Sequence, residues 1–179
     1  GKRKKVQYLL PVSFNLPAII FSTENRELIP DSYVLNLQQI RETASAFNEK
    51  NKNGAYTKIG FTPLGNNDFL YLTAKMKGAD FHEEKGEIVW NSQKLLNAVT
   101  LMHEWVNTEN TSAQVEEDFT FKYLFMPYYR QVSSGRTLFA YTTSDNLFKI
   151  LKEQDINVDY RWVVEGKSIF IEDSCAMMG

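Results

Sequence analysis

Short apolar runs alternate along the chain with stretches whose apolar residues recur at helical spacing. Val6–Leu10 reads as a strand that Pro11 stops, and the run from Pro17 to Phe21 has the β-branched content of a buried strand. Val12–Leu16 between them reads as a polar turn, and Glu24–Val34 as a loop with a turn at Pro30-Asp31. Asn36 can cap a helix running to about Glu49, with Leu37, Ile40, Ala44 and Phe47 on one face. Tyr56–Phe61 predicts a further strand. The turn Thr62–Asp68 then leads into a helix from about Phe69 to Lys77, with Gly78 as its C-terminal cap. A polar stretch around Gly86 separates Asp80-Phe81-His82 from Ile88-Val89-Trp90, the pattern of a small hairpin.

Asn91-Ser92 opens the clearest helix, Gln93 to about Asn107, with Leu95, Leu96, Val99, Met102 and Val106 as its apolar face. Thr111-Ser112 starts a second capped segment, from Ala113 to about Asp118. Thr120–Gln131 reads as helix that Pro127 can kink or split, with Ser133-Ser134-Gly135 as its end. Leu138–Tyr141 has a buried-strand pattern, and Thr142–Asp145 caps a helix from Asn146 to about Glu153. Asp159–Val164 turns through Glu165-Gly166-Lys167 into a partner strand at Ser168–Ile171. This alternation predicts one α/β domain over residues 1–179, a layered fold with a mainly parallel sheet flanked by helices.

Composition narrows the function classes. The chain has 179 residues, 43% hydrophobic and 23% charged, which is enough for one domain with its own core and excludes a wholly disordered chain. Twenty Lys and Arg against 22 Asp and Glu give a net charge of -2, without the basic excess of a dedicated nucleic-acid binder. No apolar run approaches the roughly 18 residues of a membrane span, and Val6–Pro11 after the basic Lys2–Lys5 is too short for a signal-peptide core. The lone Cys175 excludes an internal disulfide and a multi-cysteine metal site. The chain starts at Gly1 and stops in the apolar Cys175–Gly179. Ends of this kind point to a piece of a longer protein, the alternative being a domain that finishes on a buried strand.

Catalytic signals are few. His103 lies beside an apolar helical stripe and His82 beside Glu83-Glu84 at a turn, neither with metal-ligand spacing. Gly60–Gly65 lacks the Gly-Lys-Ser/Thr ending of a phosphate loop, and there is no Gly-x-Ser-x-Gly elbow. The expectation is a protein without catalysis, metal or cofactor. Ligands of α/β sheets sit outside the carboxyl ends of the strands, near helix N-termini. Three turns rich in small polar groups are candidates for such a rim: Ser13-Phe14-Asn15, Asn66-Asn67-Asp68, and Thr142–Asn146 with Ser144, Asp145 and Asn146. Helix capping explains the same residue types, and the two readings are compatible because a cap also lies at the mouth of the sheet.

Four segments in this order resemble a family. Val6–Asn15 followed by Ile19–Ser22 is similar to a Tyr-x-x-Pro, polar turn and Tyr-Asn strand, with Phe21-Ser22 standing for Tyr-Asn. Glu24–Asn48 resembles the loop and helix that usually read Pro-x-Thr-Trp-x-Glu-Leu, here Leu35–Ile40. Ile88–Val99 looks like the Asn-Ser-Pro-Glu start of a long helix after a small hairpin, and Phe125–Tyr141 like a Phe-x-x-Gly-Lys-x-Ala-Met helix-to-strand turn. The pattern is similar to one lobe of a bacterial extracellular solute-binding protein of the type that feeds an ABC importer for sugars or oligosaccharides.

That resemblance implies a periplasmic-binding-protein type II-like lobe. It would bind a small solute, a sugar among the candidates, in a cleft closed by a second lobe. Its partners would be permease subunits, met through the parent protein, with no nucleic acid. The location would be periplasmic or extracellular, on a membrane reached only through a lipid anchor outside the chain. Carried over residue by residue, the ligand contacts would be Ser13, Phe14 and Asn15, then Asn66, Asn67, Asp68 and Tyr71, then Ser144, Asp145 and Asn146. Sugar-binding relatives often carry tryptophan at the last position. The reading from a different class is a stand-alone α/β interaction module or a motif-poor enzyme domain.

Overall fold

A computed structural model describes residues 13–79, 81–90, 92–153, 156–166, 168–169 and 172–174. The expected strand at Val6–Leu10, the end of the one at Ser168–Ile171, and Cys175 lie outside the described residues.

The elements follow in chain order. β1 (Ser13–Asn15) leads at once into β2 (Pro17–Ser22), which is buried along its whole length. Ser22 Oγ accepts from Glu24 N–H at 3.4 Å and starts a 3₁₀ turn, Thr23–Leu28. β3 (Val34–Leu35) precedes α1 (Leu37–Phe47). The start of α1 is a full capping box: Asn36 Oδ1 accepts from Gln39 N–H at 2.8 Å and Gln39 Oε1 from Asn36 N–H at 3.0 Å. β4 (Glu49–Lys50) and β5 (Tyr56–Lys58) form a hairpin. After a 3₁₀ turn at Pro63–Gly65 comes α2 (Asn67–Met76), closed by Gly78 at a φ of 87° that favours glycine.

The expected hairpin is β6 (Phe81–Glu84) with β7 (Glu87–Trp90), and the long helix is α3 (Ser92–Glu109). Ser112 caps α4 (Ala113–Tyr123), its Oγ accepting from Val115 N–H at 3.1 Å. Pro127, which cannot donate a backbone hydrogen bond, separates α4 from the single turn α5 (Tyr128–Gln131). β8 (Ala140–Thr143) runs straight into α6 (Ser144–Glu153), followed by β9 (Val158–Glu165), β10 (Ser168–Ile169) and β11 (Glu172–Ser174).

The central sheet is mixed, and this corrects the expected mainly parallel sheet. β2 lies between β8 and β9 and is antiparallel to both; β10 is antiparallel to β9, and only β3 with β9 forms a parallel pair. Alternation along the chain gives the order of element types but not which strands become neighbours. One consequence of parallel order survives. β3, β8 and β9 all run one way, so their carboxyl ends share an edge, where β3 hands over to α1 and β8 to α6.

The two faces of the sheet are covered differently. Ile19, Phe21, Tyr141 and Val163 pack with Ile40 and Ala44 of α1, Phe69 and Leu72 of α2, and Met102 and Trp105 of α3. Ala18, Ile20, Ala140 and Val158 face the other way, onto Val132 and onto Leu147 and Ile150 of α6.

Four further expectations change. Ser13–Asn15 is not a free turn: its backbone pairs with β11, a partner that lies at the far end of the sequence. Ladder pairing in the Tyr56–Phe61 run stops at Lys58, because Gly60 turns its N–H to Asn48 Oδ1 at 2.7 Å. Gly60 O meanwhile accepts from Leu138 and Phe139 N–H at 3.1 and 2.8 Å, so β8 starts only at Ala140. The buried stripe of α3 is centred on Ala98, Met102, Trp105 and Val106, and Leu96 is 54% exposed.

Candidate functional site

The carboxyl edge of β8 brings two of the three polar turns together. Ser144 Oγ accepts from Leu16 N–H at 2.9 Å, and Ser144 N–H donates to Leu16 O at 2.9 Å. Asn15 Oδ1 accepts from Asp145 N–H at 3.2 Å. Asn15 thus satisfies one of the free N–H groups of the first α6 turn from a distant part of the chain. Ser144 is buried in this junction, while Asp145 and Asn146 stay exposed at its rim. Ser13 and Phe14 are placed beside it by backbone pairing with Ser174 and Asp173.

An aromatic surface borders the corner. Phe148, one helical turn beyond Ser144, is 54% exposed and meets Trp162 edge-on at 6.3 Å. Tyr160 meets the same indole at 5.1 Å. Trp162 N–H donates to Tyr33 O at 2.9 Å, and the Tyr33 side chain is 88% exposed. The sequence reading missed these rings. The available signal was periodicity: Phe148 falls beside the Leu147–Ile150 stripe of α6, and Tyr160 and Trp162 alternate with Arg161, whose guanidinium lies 5.0 Å over Phe21 on the opposite face.

The second turn lies across the sheet. α2 packs on the face opposite α6, with Phe69 against Tyr141 at 5.4 Å. Asn66 acts as the cap, its Oδ1 accepting from Phe69 N–H at 3.0 Å. Asn67 and Asp68 are exposed, and Tyr71, 38% exposed, carries Lys75 Nζ 4.5 Å over its ring. The first and third turns therefore form one corner, and the second stands apart from it on α2.

A buried carboxylate holds the second turn. Glu116, only 3% exposed, accepts from Leu64 N–H at Oε1 (3.1 Å) and from Asn110 Nδ2 at Oε2 (3.0 Å). Burial pushes its carboxyl up to about 7, against the opposing hydrogen bonds from Asn110, Leu64 and Gly65. Asn110 Nδ2 also donates to Phe61 O at 2.9 Å, and Asn110 Oδ1 accepts from Asn48 Nδ2 at 3.0 Å. In the sequence Glu116-Glu117-Asp118 looks like a solvated helix face, so this residue carried no signal.

Among the described residues, no group of three His, Cys, Asp or Glu side chains could hold a metal ion, and no helix is long and apolar enough to cross a membrane. His103 is exposed on α3. The chain matches no protein-family model, no curated protein and no solved structure.

Proposed function

We propose that the chain is a ligand-binding lobe, of periplasmic-binding-protein type II arrangement, from an extracellular solute-binding protein that delivers a small solute to an ABC importer. It works without catalysis and without a cofactor. Its parent would be held outside the cell membrane by a lipid anchor and would meet the permease subunits there. The observation that carries this reading is the corner at Asn15. There the first and last described strands pair, Asn15 opposite Glu172, and the same asparagine meets the start of α6. Polar groups gathered at one edge of the sheet, beside exposed rings, are what one half of a ligand cleft presents.

The chemistry of the corner supports a polar solute with apolar faces. Asp145 and Asn146 offer acceptors and donors to hydroxyl groups. Phe148, Trp162 and Tyr160 offer ring faces to C–H surfaces, and stand in for the tryptophan that the Ser144-Asp145-Asn146 turn lacks. A sugar fits this pairing. Amide-resolved NMR titration of the chain with a panel of mono- and oligosaccharides tests it. The expected result is saturable shifts at Asn15, Ser144–Asn146 and Trp162. Shifts confined to other surfaces, or none across the panel, would remove the sugar-binding reading.

A further inference from the structure

Outside the corner, the least expected feature is the direction of the hydrogen-bond chain that ends on Glu116. It starts at a donor that cannot turn round, the backbone N–H of Gly60. That N–H fixes Asn48 Oδ1 toward it, so Asn48 Nδ2 points to Asn110 Oδ1, and Asn110 Nδ2 points to Glu116 Oε2. A second fixed donor, Leu64 N–H, meets Glu116 Oε1. Every link therefore requires Glu116 to accept at both oxygens, which only the carboxylate does freely. A proton on either oxygen would face an N–H instead of an acceptor.

The surroundings work against that charge. Among the described residues no cation pairs with Glu116. The charged groups on the elements that carry the network are mostly acidic. Glu117 and Asp118 are exposed on α4, Asp68 is exposed in the first turn of α2, and Glu109 at the end of α3 is paired with Arg41 at 3.1 Å. Lys122, further along α4, is exposed, with its Nζ 5.0 Å from the Tyr123 ring centre. Phe61 and the Thr62–Asn66 turn bring no titratable side chain. A groove between this turn and α4, walled by Leu64, Phe121 and Phe125, runs to Glu116 and gives a path for proton exchange.

We propose that Glu116 is a proton-operated latch on the Thr62–Asn66 turn, holding the start of α2 in place when ionised and releasing Leu64 N–H when protonated. Released, the turn would move Asn66, Asn67 and Asp68 relative to the sheet. Only this last consequence, for a solute, rests on the function proposed above; the latch does not.

NMR of the chain without any ligand tests it between pH 3 and 9. The carboxyl carbon of Glu116 and the amides of Leu64 and Gly65 are expected to titrate together in one step with a midpoint near 7. Glu117→Gln is expected to leave that step unchanged, and Glu116→Gln to abolish it at Leu64. A Glu116 midpoint near the ordinary 4.5, or a Glu116 step that Leu64 and Gly65 do not follow, overturns the latch. These wild-type readings decide the matter even if Glu116→Gln does not fold. A shared step near 7 with no effect of pH on sugar-induced shifts would keep the latch and count against a binding role for the second turn.

Discussion

The two faces of the central sheet make an instructive pair. On one, Phe69 meets Phe61, Trp105 and Tyr141 at 4.9, 5.9 and 5.4 Å, and every one of these rings is buried. Beside them the Gly60–Asn48–Asn110–Glu116 chain fixes the backbone. On the other face, Leu147 and Ile150 of α6 supply a smaller cluster, and its rim, Phe148 and Trp162, is left in partial contact with solvent. The first face is over-determined and holds the domain together. The second is thinner, and the corner proposed to bind a ligand stands on that side. Segments that must meet a ligand come from the less stabilised part of a fold, because full burial leaves nothing to recognise.

Substitutions can break or sharpen this contrast. The largest effect is expected from Gly60→Ala. A Cβ there would overlap the carbonyl oxygen of Ala44, which is backbone and cannot rotate away. Chemical denaturation should show a loss of about 4 kcal/mol or more, or no folded protein. Phe69→Ala removes the centre of the ring cluster and should cost about 3–5 kcal/mol. If it cost no more than a substitution on the α6 side, the first face would not be the anchor.

The pH dependence carried by Glu116 comes next. Its folded-state pKa, about 7, lies above the ordinary 4.5. Between these values the folded chain holds a proton that the unfolded chain does not, so this group's contribution to stability is greatest below pH 4.5. It falls as pH rises to 7 and is flat above. Urea melts of the chain, compared with Glu116→Gln to cancel other groups, should show a loss of about 3 kcal/mol over that window. The opposite slope would mean that the hydrogen bonds outweigh burial. The smallest effect is expected on the thin face. Phe148→Ala, at a half-exposed ring, should cost about 1 kcal/mol in the same melts. Its larger effect should be on sugar-induced shifts at Trp162.

Local patterns explain which parts of this were legible in the sequence. The cap at Asn36, the β6–β7 hairpin, the break at Pro127 and the buried run of β2 are written within a few residues each. They appear nearly as expected. Sheet order was not legible, because β2 takes both neighbours from the far end of the chain. For the same reason Ser13–Asn15 becomes a strand and Gly60 leaves a ladder. The site divides along the same line. Asn15, Ser144 and Asp145 were readable as polar turn residues, though their junction is tertiary. Glu116 needed coordinates, since a buried acid looks ordinary in sequence, while Phe148 and Trp162 were marked only by the periodicity of α6 and β9.

The central claim is that the Asn15–Ser144 corner is half of a cleft. A solute held at about 1 μM by two lobes, about −8 kcal/mol, would be held at about 1 mM by one lobe supplying half that free energy. Calorimetric titration of the chain with whichever sugar shifts the corner residues measures this directly. Binding in the millimolar range is the predicted result. Micromolar or tighter binding would contradict the account, because it would show a site complete within this chain alone.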